Sequence, residues 1–155
     1  MAKVCSDIQL DKGPTTIYIE GFQAGGGVGM VATYSGPDTA YQEVVIKAGV
    51  VAQSNLYSPQ CDPTQPFDPS QFGVCIFKSS VGLSSTPVMG IADSPGAKLY
   101  FVGKGQMPVV DIDDLGDFRT YVPQTPDSNY AWAIWGQLVI STSGSYLLCI
   151  TSDDG

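Results

Sequence analysis

The amino-acid sequence predicts an all-β protein, and three observations support this prediction. Segments rich in β-branched and aromatic residues recur along the chain and are separated by clusters of turn residues. Eighteen glycines and eleven prolines in 155 residues favour many short strands joined by turns. No segment shows the apolar 3.6-residue periodicity of an amphipathic helix, so no helix is predicted.

Residues 8–39 predict three strands with a glycine loop between the second and the third. The turn Asp-Lys-Gly-Pro at 11–14 precedes a β-branched and aromatic strand at 15–22, and AGGGVGM at 24–30 leads to a strand that ends in the turn 35–38. A dinucleotide site would need a helix directly after these glycines, but VATYSGPDT is β-rich. We therefore predict a loop whose backbone takes positive φ or approaches a ligand closely.

The middle segment, residues 41–97, is predicted to be a Pro/Gly/Ser-rich connector that contains some strands. Five of the eleven prolines lie between Pro59 and Pro87, and this density disfavours regular β ladders. We therefore interpret the segment as a linker or a surface excursion. Cys61 and Cys75 bracket its Asp-Pro-rich loop, where a local disulfide would restrain the chain.

The C-terminal segment, residues 98–155, returns to a β pattern. KLYFVG predicts a strand, and the strands YAWAIWGQLVI and SYLLCIT flank STSG, which predicts a hairpin. DIDDLGDF, residues 111–118, favours a solvated acidic loop over the alternative of a metal site, because its spacing fits an EF-hand poorly. Trp132 and Trp135 are expected on opposite faces of their strand. Tyr130 and Trp132 are the candidates for stacking on a sugar.

Composition excludes several classes of function. The net charge of −8 and only seven basic residues argue against a nucleic-acid partner and against an anionic membrane surface. Histidine is absent, which removes the Ser-His and Cys-His nucleophile arrangements, and we expect no enzyme. No stretch of eighteen apolar residues is present, so no membrane span is expected, and Asp7 interrupts MAKVCSDIQL before a signal-peptide core could form.

The four cysteines indicate an oxidising compartment. They stand singly at Cys5, Cys61, Cys75 and Cys149, without the paired spacing of a zinc site. In a Gly/Pro-rich β protein, this pattern favours disulfides and an extracellular or cell-surface location. Buried free thiols are the alternative.

The C-terminal segment carries a spaced set of residues: Trp135, Gly136, Leu138, Ile140, Ser143, Gly144, Tyr146 and the run Ser152-Asp153-Asp154-Gly155. In this pattern, residues 98–155 resemble the front half of the anthrax protective antigen (PA-fourteen) β-sandwich domain family. Residues 10–39 resemble the back half, in which a strand leads into a glycine loop and a final strand. The resemblance implies an antiparallel β-sandwich and places Trp135 in its core.

The two halves stand in reverse order compared with the family. Residues 1–40 correspond to the C-terminal half of such a domain and residues 98–155 to the N-terminal half, with 41–97 between them as the connector. We expect an excised or processed segment of a tandem array, rather than a circular permutant. Each half would then lack strands and expose sheet edges to neighbouring copies. The resemblance also implies that Cys149 of one copy bonds to Cys5 of the next.

The resemblance further implies a calcium site. In carbohydrate-binding members, which resemble the yeast flocculin adhesins, two adjacent aspartates hold a calcium ion that coordinates sugar hydroxyls. Asp153 and Asp154 match that pair, and Ca²⁺ is the implied cofactor. The second loop of the site corresponds to Gln23, Gly25, Gly26 and Gly27, although it lacks the asparagine found in the adhesins.

Two functions are consistent with these features. The first is an extracellular structural protein, a repeat unit of a fibre, coat or cell-surface array. Its partners would be further copies or neighbouring repeats, joined through sheet edges and disulfides. The alternative is a calcium-dependent carbohydrate-binding module of the adhesin or lectin type, with glycans as partners.

Overall fold

The computed structural model describes residues 1–49, 68, 70–79, 82–83 and 99–153. Within these ranges, a short 3₁₀ turn lies at Pro37–Thr39 and a short α-helix, α1, spans Leu115–Tyr121. The strands are β1 (Ala2–Leu10), β2 (Gly13–Gln23), β3 (Met30–Ser35), β4 (Val44–Val45), β5 (Phe72–Ser79), β6 (Leu99–Met107), β7 (Asp111–Ile112), β8 (Tyr130–Ile140) and β9 (Gly144–Ser152).

These strands form two antiparallel sheets that pack against each other. The first sheet has the order β1-β9-β3-β4, with β7 also paired to β3, and the second sheet has the order β2-β8-β5-β6. The main core lies between the sheets and includes Met30, Phe72, Trp132 and Tyr146. The prediction of an all-β sandwich is confirmed.

The N-terminal and C-terminal segments pair with each other within one chain. β1 lies against β9 over its whole length, and β2 lies against β8 in the same way. β9 is also paired with β3, so it stands in the interior of the first sheet. The expectation that each half waits for strands from elsewhere is therefore wrong for these strands, because each half supplies what the other lacks. The hairpin predicted at STSG is wrong, because β8 and β9 belong to different sheets.

One part of the connector is an interior strand. β5 lies between β8 and β6 in the second sheet, and all of its side chains except that of Lys78 are buried. The interpretation of this stretch as a linker or surface excursion is therefore wrong. The Pro-rich residues 50–67 and residues 84–98 lie outside the described part of the chain.

The helix α1 replaces the predicted acidic loop. The Asp114 carboxylate caps the helix by accepting a hydrogen bond from the Asp117 amide (3.1 Å), and the Asp117 carboxylate accepts from the Asp113 amide (2.8 Å). Phe118 is fully buried and anchors the helix to the core. Seven residues are too few to show helical periodicity, and no helix in the described ranges is long and apolar enough to cross a membrane.

A disulfide joins β1 to β9 near the edge of the first sheet. Cys5 in β1 and Cys149 in β9 are direct partners in the ladder, and their Cα atoms are 4.1 Å apart. The bond closes within one chain, so the expected bond between neighbouring copies is wrong. Cys75 is also disulfide-bonded, whereas its predicted partner, Cys61, lies outside the described residues.

Candidate functional site

The predicted ligand loop and Asp153 lie side by side at one end of the sandwich. Gly25, Gly26 and Gly27 are exposed in the loop between β2 and β3, and Asp153 directly follows β9. The Asp153 amide donates a hydrogen bond to the Gly29 carbonyl (3.1 Å). Because β3 and β9 are neighbours in the first sheet, two regions from opposite ends of the sequence meet within one chain.

The conformation of this loop depends on glycine. Gly26 has a φ of +93°, which confirms the predicted positive φ. A Cβ atom on Gly27 would lie 2.8 Å from Asp153 Oδ2, so glycine permits the close approach of the carboxylate. Gln23, at the end of β2, is buried and donates a hydrogen bond from Nε2 to the Gly27 carbonyl (2.7 Å). Gln23 therefore holds the loop in place through a hydrogen bond from the protein interior.

The oxygen atoms at this end are an incomplete set for calcium, which takes six to eight oxygen ligands. The Asp153 carboxylate is about one-third exposed, and its Oδ1 is 3.5 Å from the N-terminal ammonium of Met1. The carbonyls of Gly27 and Gly29 already accept hydrogen bonds. No group of three metal-binding side chains occurs among the residues that the structure describes. A calcium ion here would also need Asp154, which lies outside them.

The two aromatic residues predicted to stack on a sugar are buried. Tyr130 is fully buried and Trp132 is 2% exposed, because β8 lies in the interior of the second sheet and Phe118 covers both rings. That prediction is therefore wrong. Trp135 is buried in a second apolar cluster on the other face of the same sheet, so the predicted opposite placement of the two tryptophans is confirmed.

A second candidate site lies along one side of the sandwich. Each sheet ends there in a strand that has a neighbour on one side only within the described part of the chain: β1 in the first sheet and β2 in the second. An open groove of about 260 Å³ separates the two strands. Its lining is mainly apolar and includes Ile8, Leu10, Ile17, Tyr18, Leu148 and Ile150.

Several apolar side chains beside this groove are uncovered. Ile8 stands opposite the core residue Tyr146, and Val4 stands opposite Ile150, so all of them point to the core side of the first sheet. Nevertheless Val4 is 71% exposed, Ile8 41% and Ile150 39%. The second sheet ends at β2 and does not reach over them. Sequence analysis missed these residues, although the alternation of Val4 and Ile8 with polar neighbours was a possible signal.

The rim of the groove on β2 carries a hydrogen-bonded tyrosine. Tyr18 is 45% exposed, and its hydroxyl donates to the Glu20 carboxylate. Burial raises the pKa of Tyr18, and the hydrogen bond and negative charge of Glu20 raise it further. The folded protein therefore holds the phenol proton beyond the pH at which an ordinary tyrosine ionises. Tyr18 stands opposite Trp135, so its side chain lies on the outer face of the second sheet.

The outer face of β1 carries charged residues. Lys3 Nζ lies 2.6 Å from Glu43 Oε1, and Thr33 donates to the same oxygen (2.6 Å). The hydrogen bonds from Lys3 and Thr33 lower the pKa of Glu43. Asp7, on the same face of β1, has no hydrogen bond or ion pair assigned among the described residues. The free edge of β1 thus carries one positive and one negative side chain, two positions on either side of Cys5.

Comparison with known proteins adds no family to these observations. No family model matches the chain, and neither a curated protein nor a solved structure matches it. The two candidate sites are therefore defined by the geometry of this chain alone.

Proposed function

We propose that this chain is a non-enzymatic structural module of an extracellular assembly, which joins neighbouring copies or repeats through the free side of its sandwich. The observation that carries this proposal is the apolar groove between β1 and β2. A strand supplied by a neighbour would pair with unpaired backbone groups and cover apolar side chains at the same time. Both effects favour association at this side.

The uncovered side chains can contribute usefully to such an interface. Complete burial of a Val or Ile side chain is worth roughly 1.5–3 kcal/mol, so covering the exposed parts of Val4, Ile8 and Ile150 would contribute about 3 kcal/mol. The costs of association reduce this gain. A single contact of this kind is weak, but repeated contacts in an array reinforce one another.

The cysteines support the extracellular part of the proposal. Cys5, Cys75 and Cys149 are all disulfide-bonded, which is typical of proteins from oxidising compartments. The Cys5–Cys149 bond also fixes β1 to the body of the sheet. Covalent attachment of the edge strand would keep the assembly surface in place under mechanical load.

Sedimentation velocity over a wide range of protein concentration tests this proposal. Wild-type protein is expected to associate, and Ile8→Lys is expected to weaken association because it places a charge in the groove. Val44→Lys is the matched control, since Val44 is 38% exposed, close to the 41% of Ile8, but lies on β4 at the opposite edge of the first sheet. A wild-type protein that is monomeric at every concentration would overturn the proposal.

A calcium-dependent carbohydrate-binding module is the second candidate. It is favoured by the contact between the glycine loop and Asp153, one of the two aspartates of the expected site. Isothermal titration with calcium should then show binding that Asp153→Asn removes, and a glycan array should show binding in calcium but not in chelator. If calcium produces no heat in the wild type, this candidate fails, while the assembly proposal is unaffected.

A further inference from the structure

We infer that β1 pairs with β1 of a second copy of this chain, antiparallel and around a two-fold axis at Cys5, so that the first sheets of two copies form one continuous sheet. This inference rests on the proposed self-association and specifies the partner strand and its register. Three properties of β1 support it: the direction of its free backbone groups, the order of its charges and the position of its apolar residues.

The backbone groups that face outward belong to alternate residues. In an antiparallel ladder, directly opposed Cα atoms are about 4.5 Å apart in pairs without hydrogen bonds and about 5.5 Å apart in hydrogen-bonded pairs. The Cys5–Cys149 distance of 4.1 Å fits the first type. The N–H and C=O of Cys5 therefore point away from β9, toward the free edge. By the same alternation, those of Lys3 and Asp7 also point outward.

Charge selects one register among those that this alternation allows. A two-fold antiparallel pair must place outward-facing residues opposite each other, and a centre at Cys5 sets Lys3 of each copy opposite Asp7 of the other. Each such pair also exchanges both backbone hydrogen bonds. A centre at Lys3 or at Asp7 would instead place like charges opposite each other, which is unfavourable. A centre at Val4 or at Ser6 would not set Lys3 opposite Asp7, so only the centre at Cys5 forms both charge pairs. The sequence of β1 is thus self-complementary about Cys5.

In this arrangement, the apolar residues of β1 from both copies lie on the same face of the continuous sheet. Val4 and Ile8 point to the core side of the sheet in both copies, because a two-fold axis perpendicular to the sheet keeps that side common. Val4 of one copy would face Ser6 of the other, and Ile8 would face Ala2. The two grooves would then join into one apolar trough bounded by β2 of each copy.

The existing ion pair of Lys3 is compatible with this interface. Lys3 is 44% exposed and its ammonium has three donors, of which Glu43 occupies one. Glu43 lies toward β3, on the side away from the free edge, because it is bonded to Thr33. An aspartate from a second copy would approach from the opposite side. Charged side chains on an edge strand can also prevent pairing, and the experiment must separate these two roles.

Charge-reversal variants separate them when the dimer dissociation constant is measured by sedimentation equilibrium. Asp7→Lys retains the Lys3–Glu43 pair and places the introduced ammonium group opposite Lys3 at both symmetric contacts. The change from two attractive to two repulsive pairs is expected to weaken dimerisation on the order of tenfold to a hundredfold. The double variant Lys3→Asp/Asp7→Lys restores opposite charges and is expected to recover most of the affinity. Asp11→Lys is the control, since it makes the same change in net charge in the turn after β1.

Each outcome decides the inference. Weakening by Asp7→Lys with rescue by the double variant, and no weakening by Asp11→Lys, supports the register. If the wild type associates and every variant has the same dimer dissociation constant as the wild type, the register is overturned. The proposed assembly function is then unaffected. If the wild type, Asp7→Lys and Asp11→Lys are all monomeric, both the register and the proposed assembly function are overturned. Thermal unfolding of every variant verifies that each one folds.

Discussion

Removal of the Cys5–Cys149 bond is expected to lower the free energy of unfolding by up to about 5 kcal/mol. The bond joins residues 144 positions apart. In the chain-entropy description, a closed loop of that length restricts the unfolded chain by about 17 cal/mol/K, which is about 5 kcal/mol at 25 °C. This is comparable to the whole stability of many domains, about 5–15 kcal/mol. The double variant Cys5→Ala/Cys149→Ala removes the bond without leaving an unpaired thiol.

Urea denaturation of the wild type and the double variant measures this loss. Ser6→Ala is a suitable control, because Ser6 is exposed on the same strand and takes no part in the bond. The midpoint is expected to fall strongly in the double variant and to stay close to that of the wild type in the control. An unchanged midpoint, or covalent dimers on a non-reducing gel that depend on Cys5, would refute an intrachain bond that stabilises the fold.

Three further changes test particular parts of the structure. Phe118→Ala is expected to lower the free energy of unfolding by about 3–5 kcal/mol in a urea titration, because Phe118 is fully buried. Leu115→Ala, at a half-buried position of the same helix, should lower it much less. Gly26→Ala should lower stability by roughly 1–2 kcal/mol in thermal unfolding, since Gly26 has positive φ, while Gly25→Ala, which has open space for a Cβ, should cost less. Ionisation of Tyr18 should not affect the free energy of unfolding below pH 10 and should lower it above pH 10, because the folded state holds this proton more tightly than the unfolded state. In a pH series of unfolding experiments, Tyr18→Phe should reduce that fall.

The sequence was sufficient for the fold class and for the glycine loop. Turn residues and β-branched runs are local signals, so the strands near the glycine loop and the last two strands could be predicted without knowledge of the partners. The connection between those last two strands could not, because STSG crosses from one sheet to the other and does not close a hairpin. Positive φ at Gly26 follows from the same local chemistry. The helix α1 could not be predicted in this way, because it depends on the Asp114 cap and on one buried aromatic residue, Phe118.

Strand partners and burial could not be predicted, because they depend on contacts far apart in sequence. The pattern of a strand shows that it can pair, but does not show with which strand it pairs. For this reason, the sequence pattern alone places β1 and β9 in separate incomplete sandwiches, although they form one ladder. The burial of Trp132 cannot be predicted for the same reason, because only the position of β8 inside the second sheet explains it.

Amide hydrogen exchange along β1, followed at low and high protein concentration, tests most directly whether this edge recruits another copy. Amides of Val4, Ser6 and Ile8 are expected to be protected at both concentrations, because they face β9. Amides of Cys5 and Asp7 face the free edge and are expected to become protected only at high concentration. Fast exchange of Cys5 and Asp7 at every concentration, in samples where the even-numbered amides stay protected, would contradict assembly through β1.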